Sequence, residues 1–381
     1  MKTISLIGVS GSIGRQVLSV VRRHKDKLRI GSIVANTSAD ALVLAASEFA
    51  PDYCALVDER AAVGVKERLP KGVAFGCGER AAIDAVAYGN ICVVAATGFA
   101  GLKYTLEAIR LKKDVALANK ETLVCAGRLV MGLVERAGVD LVPIDSEHSA
   151  LWQALSFKKD TPFKKLIITA SGGPFYSYTK EQLAFVTPKD ALKHPNWSMG
   201  AKITVDSATL LNKGFEVIEA HHLYGAPLEK IHTLVQPESI VHSMVEFEDG
   251  SILAQLSYPT MEVPISLALS YPNRWDCELK SLDFEALGAL RFLPLDRKKF
   301  PCYDLALTAL EEGDNYPCAL NGAGEVAVHA FLNGELPFLG IANVIEKTLE
   351  KTVRQKADGY EILSETDARA REIAREIIAG R

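Results

Sequence analysis

The chain has 381 residues, 48% of them hydrophobic and 24% charged, with a formal net charge of −4. That length exceeds what one hydrophobic core usually organises, so two or three domains are expected. The acidic balance speaks against a nucleic-acid binder, which carries a basic face, and no run of about 18 apolar residues is present to span a membrane.

Residues 1 to about 145 alternate short β-rich runs with longer helical patterns. Strands are expected over 3–7, 30–35, 53–57, 91–95, 115–118 and 139–144. Ile13, Val17, Val20 and Val21 follow the first strand at the spacing that puts four aliphatics on one helix face. Strands alternating with helices of this length predict a doubly wound parallel sheet, Rossmann-like. After Ile144 the texture becomes α+β. Strands are expected over 165–169 and 202–205, and a β-hairpin over 239–256 turns at Glu248-Asp249-Gly250. Residues 271–301 are Pro-punctuated and read as a linker; 302–381 read as a helical domain. The expected division is 1–145 for a nucleotide domain, 146–270 for a catalytic domain with a lid over about 185–203, the linker and the helical domain. The seven cysteines include no CxxC pair, and the N-terminus leads straight into a strand pattern without a signal-like segment. Both features suit a reducing, cytoplasmic setting.

Gly8-Val9-Ser10-Gly11-Ser12-Ile13-Gly14 joins the first strand to the first helix. Glycines there permit a tight turn and let backbone N–H groups approach a pyrophosphate. The spacing is GxxGxxG, so the alternative of an ordinary Gly-rich turn stands beside dinucleotide binding. The second strand ends at Asn36-Thr37-Ser38, without the acidic residue that accepts from a ribose 2′-hydroxyl. Hydroxyl and amide groups at that place favour NADP, although no Arg or Lys is among them and Asp40 is close in sequence.

The 139–144 strand runs into Asp145-Ser146-Glu147-His148, the strand end at which α/β sheets bind ligands. In an extended segment the two carboxylates point to one side, and such a pair suits Mg²⁺ or Mn²⁺. It reads equally as a solvated acidic loop capping a helix. A second cluster, Asp206 to Glu216, holds Ser207, Asn212 and Lys213, types that bind phosphate or sugar hydroxyls, and Glu216 as a third carboxylate. Ser171-Gly172-Gly173-Pro174 adds a hydroxyl and close N–H groups, though Ser, Asn and Gly serve turns and caps as well. His194-Pro195-Asn196-Trp197-Ser198-Met199-Gly200 places a Trp and a Met in a polar loop, as a water-excluding lid or a locally packed loop would.

These blocks, with Leu117-Ala118-Asn119-Lys120-Glu121, occur in the order found in 1-deoxy-D-xylulose 5-phosphate reductoisomerases, and from Gly8 to about His242 the chain resembles that family. The resemblance implies a homodimer with an NADPH-binding domain, a catalytic domain carrying the dimer interface and lid, and a C-terminal helical domain. It implies Mg²⁺, Mn²⁺ or Co²⁺ held by Asp145, Glu147 and Glu216. Substrate contacts are implied for Lys120, Ser146, Ser171, His194, Ser207, Asn212 and Lys213, with Glu147, Glu216, Trp197 and Met199 expected beside them. Nucleotide contacts are implied for Ser10, Gly11, Ser12, Ile13, Asn36, Thr37, Ser38, Asn119, Glu121 and Gly200. The implied reaction isomerises and reduces a sugar phosphate, 1-deoxy-D-xylulose 5-phosphate, to 2-C-methyl-D-erythritol 4-phosphate in non-mevalonate isoprenoid biosynthesis. Many members carry a basic residue where this chain has Asn36-Thr37-Ser38. Lys120 and Glu147 are candidates for the chemistry; His148 and His242 are candidates for proton transfer, each with a satisfied structural histidine as the alternative. Two other functions fit the first domain: another NADP-dependent dehydrogenase, of the semialdehyde or homoserine type, and a non-catalytic dinucleotide-binding sensor.

Overall fold

Seven short strands of the first 143 residues pair in one direction only. They are β1 (Lys2–Ile7), β2 (Leu28–Ala35), β3 (Tyr53–Leu56), β4 (Ala74–Cys77), β5 (Ile91–Val94), β6 (Asp114–Leu117) and β7 (Leu141–Pro143). Their order is β4-β3-β2-β1-β5-β6-β7, and every neighbouring pair is parallel. The computed structural model describes residues 1–158, 160–197 and 199–380. The expected doubly wound sheet is therefore present, with β4 added at its edge. The strand order reverses at β1, where Ile7 faces Val34 of β2 on one side and Val94 of β5 on the other. Beyond the carboxyl ends of those strands is the crevice in which such sheets bind ligands.

The chain divides into two compact units. The first comprises Met1–Thr122, Val130–Ser146 and Met261–Leu279. Its core is the aliphatic sheet and the helices against it. The helix Ser12–Arg23 buries Val17, Leu18, Val20 and Val21, while Ile13 at its start is only half-buried.

The second unit comprises Leu123–Leu129, Glu147–Thr260 and Lys280–Arg381. Its sheet is β8 (Lys165–Ala170), β9 (Ile231–Val235), β10 (Val241–Glu246), β11 (Ile252–Leu256) and β12 (Leu293–Pro294), in the order β11-β10-β8-β9-β12. β10 and β11 form the expected antiparallel hairpin, with Met244 opposite Ala254. β8 and β9 are parallel. The helices Pro301–Glu312, Tyr316–Leu332, Gly340–Glu350 and Tyr360–Ala379 make up the helical part expected after residue 302. The stretch 271–301, read as a linker, divides between the units and contributes a short helix, Phe284–Leu287, and β12.

One expected strand does not form. Residues 202–205 are not a strand but lie inside the helix Ala201–Thr209. Ile203, Thr204 and Val205 favour strands locally, yet Thr204, Val205 and Ala208 are buried on a helical spacing, and packing overrides propensity.

Candidate functional site

In the first unit, the turn after β1 is fastened to β2: the Gly8 and Val9 N–H groups both donate to Val34 O, at 2.9 and 3.0 Å. A Cβ on Gly14 would sit 2.3 Å from Gly8 O, so the helix can approach the turn this closely only with glycine there. Ser10 and Ile13 are half-buried, Gly11 and Ser12 exposed, and no acidic side chain occupies the first turn. This leaves the helix N-terminus open to an anion. Across the strand reversal, Asn36 and Thr37 are exposed and Ser38 half-buried. At the end of β6, the Asn119 amide donates to Gly98 O at 3.0 Å and to Glu121 Oε2 at 2.7 Å, and both side chains are buried. Gly200, grouped with these by resemblance, belongs to the second unit, where it precedes the helix Ala201–Thr209.

Asp145 follows β7, with its carboxylate 2.7 Å from Lys120 Nζ; the two side chains are 11% and 10% exposed. The next residue, Ser146, begins the helix Ser146–Ala154. Glu147 and His148 are thus in a helical first turn, and the extended geometry expected for Asp145 and Glu147 does not occur. Ser and Asp favour helix starts, and the chain uses them so.

In the second unit, Leu210 takes a left-handed conformation (φ 59°) and breaks the helix Ala201–Thr209 from the helix Leu211–Tyr224. Asn212, Lys213 and Glu216 then share one face of the second helix's first turns. The Lys213 ammonium donates to Glu147 Oε1 at 2.7 Å, to Thr169 O at 2.6 Å and to Glu216. Asn212 donates to the other Glu216 oxygen at 2.6 Å. A carboxylate oxygen of Glu147 lies within 4.8 Å of one of Glu216. Burial alone would lower the Lys213 pKa, but the two carboxylates outweigh it and hold the ammonium above its ordinary value. One half-buried carboxylate, Glu147, and one buried, Glu216, with a buried ammonium between them form a set of hard oxygen donors of the kind divalent cations take.

His148 is fully buried. Its Nε2–H donates to the Glu216 carbonyl at 2.9 Å, and its own carbonyl accepts from Tyr224 at 2.5 Å. His148 therefore braces the helix that carries Glu216.

Ser171 begins the loop after β8. Its Oγ accepts from Gly173 N at 3.1 Å and lies 3.0 Å from His194 Nε2. His194 Nδ1 accepts from the Asn196 and Trp197 N–H groups, at 3.2 and 2.9 Å, so the proton is on Nε2 and points at Ser171. Burial pushes the His194 pKa down to about 4, which keeps the ring neutral. A Cβ on Gly173 (φ 65°) would be 2.9 Å from Ser207 O; glycine brings this loop against half-buried Ser207. Asn196 ties its loop to Pro237 O and Ser239 Oγ, at 2.6 and 2.8 Å. The Trp197 ring meets that of His242 edge-on, with 6.2 Å between centroids, and Ser257 is hydrogen-bonded to His242 Nε2 at 2.9 Å. Met199 is half-buried, and Ser198 lies outside the described residues.

The structure thus gathers Glu147, Lys213, Glu216 and Asn212 in one cluster and Ser171, His194 and Ser207 in another stretch of the same unit. Sequence reasoning missed Thr169 O, Tyr224 and Ser257. The first is a backbone group, which leaves no mark in sequence; the others bond to residues far away in the chain.

Three consecutive stretches match models of one family. Residues 4–127 match the 1-deoxy-D-xylulose 5-phosphate reductoisomerase model, 141–224 its C-terminal domain model and 256–373 a DXP reductoisomerase C-terminal domain model. The chain is 47% identical to the 1-deoxy-D-xylulose 5-phosphate reductoisomerase of Geobacillus kaustophilus over 100% of both. It belongs to the 1-deoxy-D-xylulose 5-phosphate reductoisomerase family. The reductoisomerase of Bacteroides thetaiotaomicron is 45% identical over 99% of this chain and 97% of its own. Among solved structures, the Zymomonas mobilis reductoisomerase in complex with NADPH superposes with a TM-score of 0.93 at 39% identity, covering 99% of each chain. A reductoisomerase in complex with NADPH, fosmidomycin and magnesium gives 0.94 at 36%, covering 100% of this chain and 98% of its own.

Proposed function

We infer that this chain catalyses the NADPH- and divalent-metal-dependent isomerisation and reduction of 1-deoxy-D-xylulose 5-phosphate to 2-C-methyl-D-erythritol 4-phosphate, in non-mevalonate isoprenoid biosynthesis. The observation that carries the reading beyond family membership is the Glu147–Lys213–Glu216 cluster, built around a buried ammonium. A dehydrogenase that only moved a hydride would have no use for it. Asp145, Glu147 and Glu216 would hold Mg²⁺ or Mn²⁺, with Co²⁺ as a further candidate. When bound, the cation supplies Lewis acidity toward adjacent substrate oxygens and NADPH supplies the hydride.

The chain's own side chains position the substrate. Ser171, Ser207, Asn212 and Lys213 are assigned to the phosphate and sugar hydroxyls, with Ser146, His194, Trp197 and Met199 alongside. Support comes from the His194 Nε2–H donated to Ser171, which leaves the Ser171 hydroxyl proton to donate elsewhere. Lys120, charged beside Asp145, would stabilise developing negative charge or deliver a proton. His148 and His242 are assigned to holding Glu216 and Trp197 in place. The nucleotide would take the Gly8–Gly14 turn with Ser10, Gly11, Ser12 and Ile13, then Asn36, Thr37 and Ser38, with Asn119, Glu121 and Gly200 as further contacts. Residues 185–203 would act as the lid that excludes water.

A homodimer is supported by β11, a sheet-edge strand on which Ile252 and Leu253 are 52% and 51% exposed. Among the described residues no helix is long and apolar enough to cross a membrane. All seven cysteines are free thiols, which suits the cytoplasm. The test is NADPH oxidation that requires both the sugar phosphate and Mg²⁺ or Mn²⁺. Turnover that survives exhaustive chelation, or Glu147→Gln, sinks the metal assignment.

A further inference from the structure

At the strand end where a 2′-phosphate must be met, Asn36, Thr37 and Ser38 offer hydroxyls and an amide but no cation. The nearest acid in sequence, Asp40, is paired with Arg68 at 2.6 Å. The strand alongside supplies what is missing. Past the end of β3, the Asp58 N–H donates to Asn36 O at 3.0 Å, so the segments leaving β2 and β3 are bonded to each other. Asp58 then closes a turn: its Oδ1 accepts from Ala61 N at 2.8 Å and its carbonyl from Ala62 N at 3.1 Å. Arg60 rides on that turn.

Arg60 is exposed, and its guanidinium has no ion-pair partner among the described residues. It lines, together with Asn36, a cavity of about 530 Å³. The other charged groups on the wall are Asp58, Glu59, Glu79 and Lys103. Asp58 is held by its turn, and Lys103 is committed to an ion pair with Glu79. The cavity therefore contains one uncommitted cation, two residues from the one bonded to Asn36.

We propose that Arg60 is the specificity-determining residue for the 2′-phosphate of the dinucleotide, supplying from the end of β3 the charge that the end of β2 lacks. The proposal rests on the dinucleotide reading above. The guanidinium fork matches phosphate oxygens, with the Thr37 and Ser38 hydroxyls available as further donors. The carboxylates sharing the wall sharpen the dependence. Without Arg60 a phosphate dianion would face Asp58, Glu59 and Glu79 with only Lys103, itself already paired, in its favour.

The test titrates the full chain, without substrate, with 2′,5′-ADP and 5′-AMP and then with NADPH and NADH, following binding by calorimetry. Wild type is expected to prefer the 2′-phosphorylated member of each pair. Arg60→Ala should weaken 2′,5′-ADP and NADPH by about ten- to a hundredfold, the range for one charged hydrogen-bonding group, and change 5′-AMP and NADH by less than about threefold. Arg60→Lys should restore part of the preference. Equal weakening of both members, an unchanged preference in Arg60→Ala, or a selective loss produced by Lys103→Met instead would each overturn the assignment while leaving the dinucleotide site standing. A wild type that binds none of the four ligands would overturn the dinucleotide reading itself, and Arg60's role with it.

Discussion

Replacing Lys213 with methionine keeps the length of the side chain and removes only its charge. Lys213 is 4% exposed and donates to Glu147, Thr169 O and Glu216. The variant leaves two carboxylates with oxygens within 4.8 Å of each other and no cation between them. Deleting one partner of a buried ion pair costs about 3–5 kcal/mol. At about 2–4 °C per kcal/mol, the melting transition of the second unit should fall by roughly 6–20 °C in EDTA. A divalent cation replaces the lost charge: at about a hundred times its Kd, Mg²⁺ should return about 2.7 kcal/mol. Wild type should gain less, because its own ammonium competes for the same oxygens. Differential scanning fluorimetry of both proteins, in EDTA and across a Mg²⁺ titration, measures each quantity. A variant that melts within about 2 °C of wild type in EDTA refutes the buried-pair reasoning. Equal Mg²⁺ shifts in the two proteins refute the claim that ammonium and cation share a site.

Gly14→Ala should abolish dinucleotide binding in the same titrations, since the new Cβ would be 2.3 Å from Gly8 O and the turn must open to admit it. Overpacking of this kind costs about 1–3 kcal/mol, readable as a lower melting temperature. His194 and His222 are held neutral by burial, at about 4 and about 3. Below the ordinary histidine value of 6.5 the unfolded chain takes up protons that the folded chain refuses, so their contribution is complete above pH 6.5 and is lost as pH falls toward 4. Melting temperature recorded from about pH 7 to pH 4 should decline. The slope should flatten in His194→Gln and more so in a double variant with His222→Gln; an unchanged slope contradicts the assignment. Under the proposed homodimer, Leu253→Lys, on an exposed face of β11, should shift the chain toward monomer in sedimentation equilibrium, and a dimer of undiminished affinity would remove β11 from the interface.

The parallel sheet was legible because its inner strands are apolar runs buried on both faces, as in Ile91–Val94, where every residue is buried. β4 was not, because Ala74–Cys77 is a half-exposed edge of four residues with a glycine inside and no apolar run. The hairpin of β10 and β11 could be read from Asp249-Gly250, whose turn chemistry is local. β9 and β12 could not, since β12 is two residues that become a strand only by pairing with β9. In the site, Asn212, Lys213 and Glu216 were visible as polar residues but not as a shared face, because Ile203, Thr204 and Val205 drew the reading of the preceding segment toward a strand.

That shared face depends on Leu210, and nothing in Thr209-Leu210-Leu211-Asn212 signals a helix break. A left-handed leucine costs about 1–2 kcal/mol, which is why a chain usually places glycine or asparagine in this conformation. Here the cost is met by packing: Leu210 is 2% exposed and Leu211 fully buried, and each such side chain contributes about 1.5–3 kcal/mol. Glycine at 210 would relieve the backbone and give up the burial; leucine keeps the burial and tolerates the strain. The break ends one helix at Thr209 and starts the next at Leu211, so Asn212 and Lys213 fall at a fresh N-terminus with Glu216 one turn beyond. A continuous helix would carry the same residues past Leu210 with a different axis, and Lys213 would lose its aim at Glu147 and Thr169 O. The site is therefore held by an apolar residue that reads, in sequence, as ordinary core.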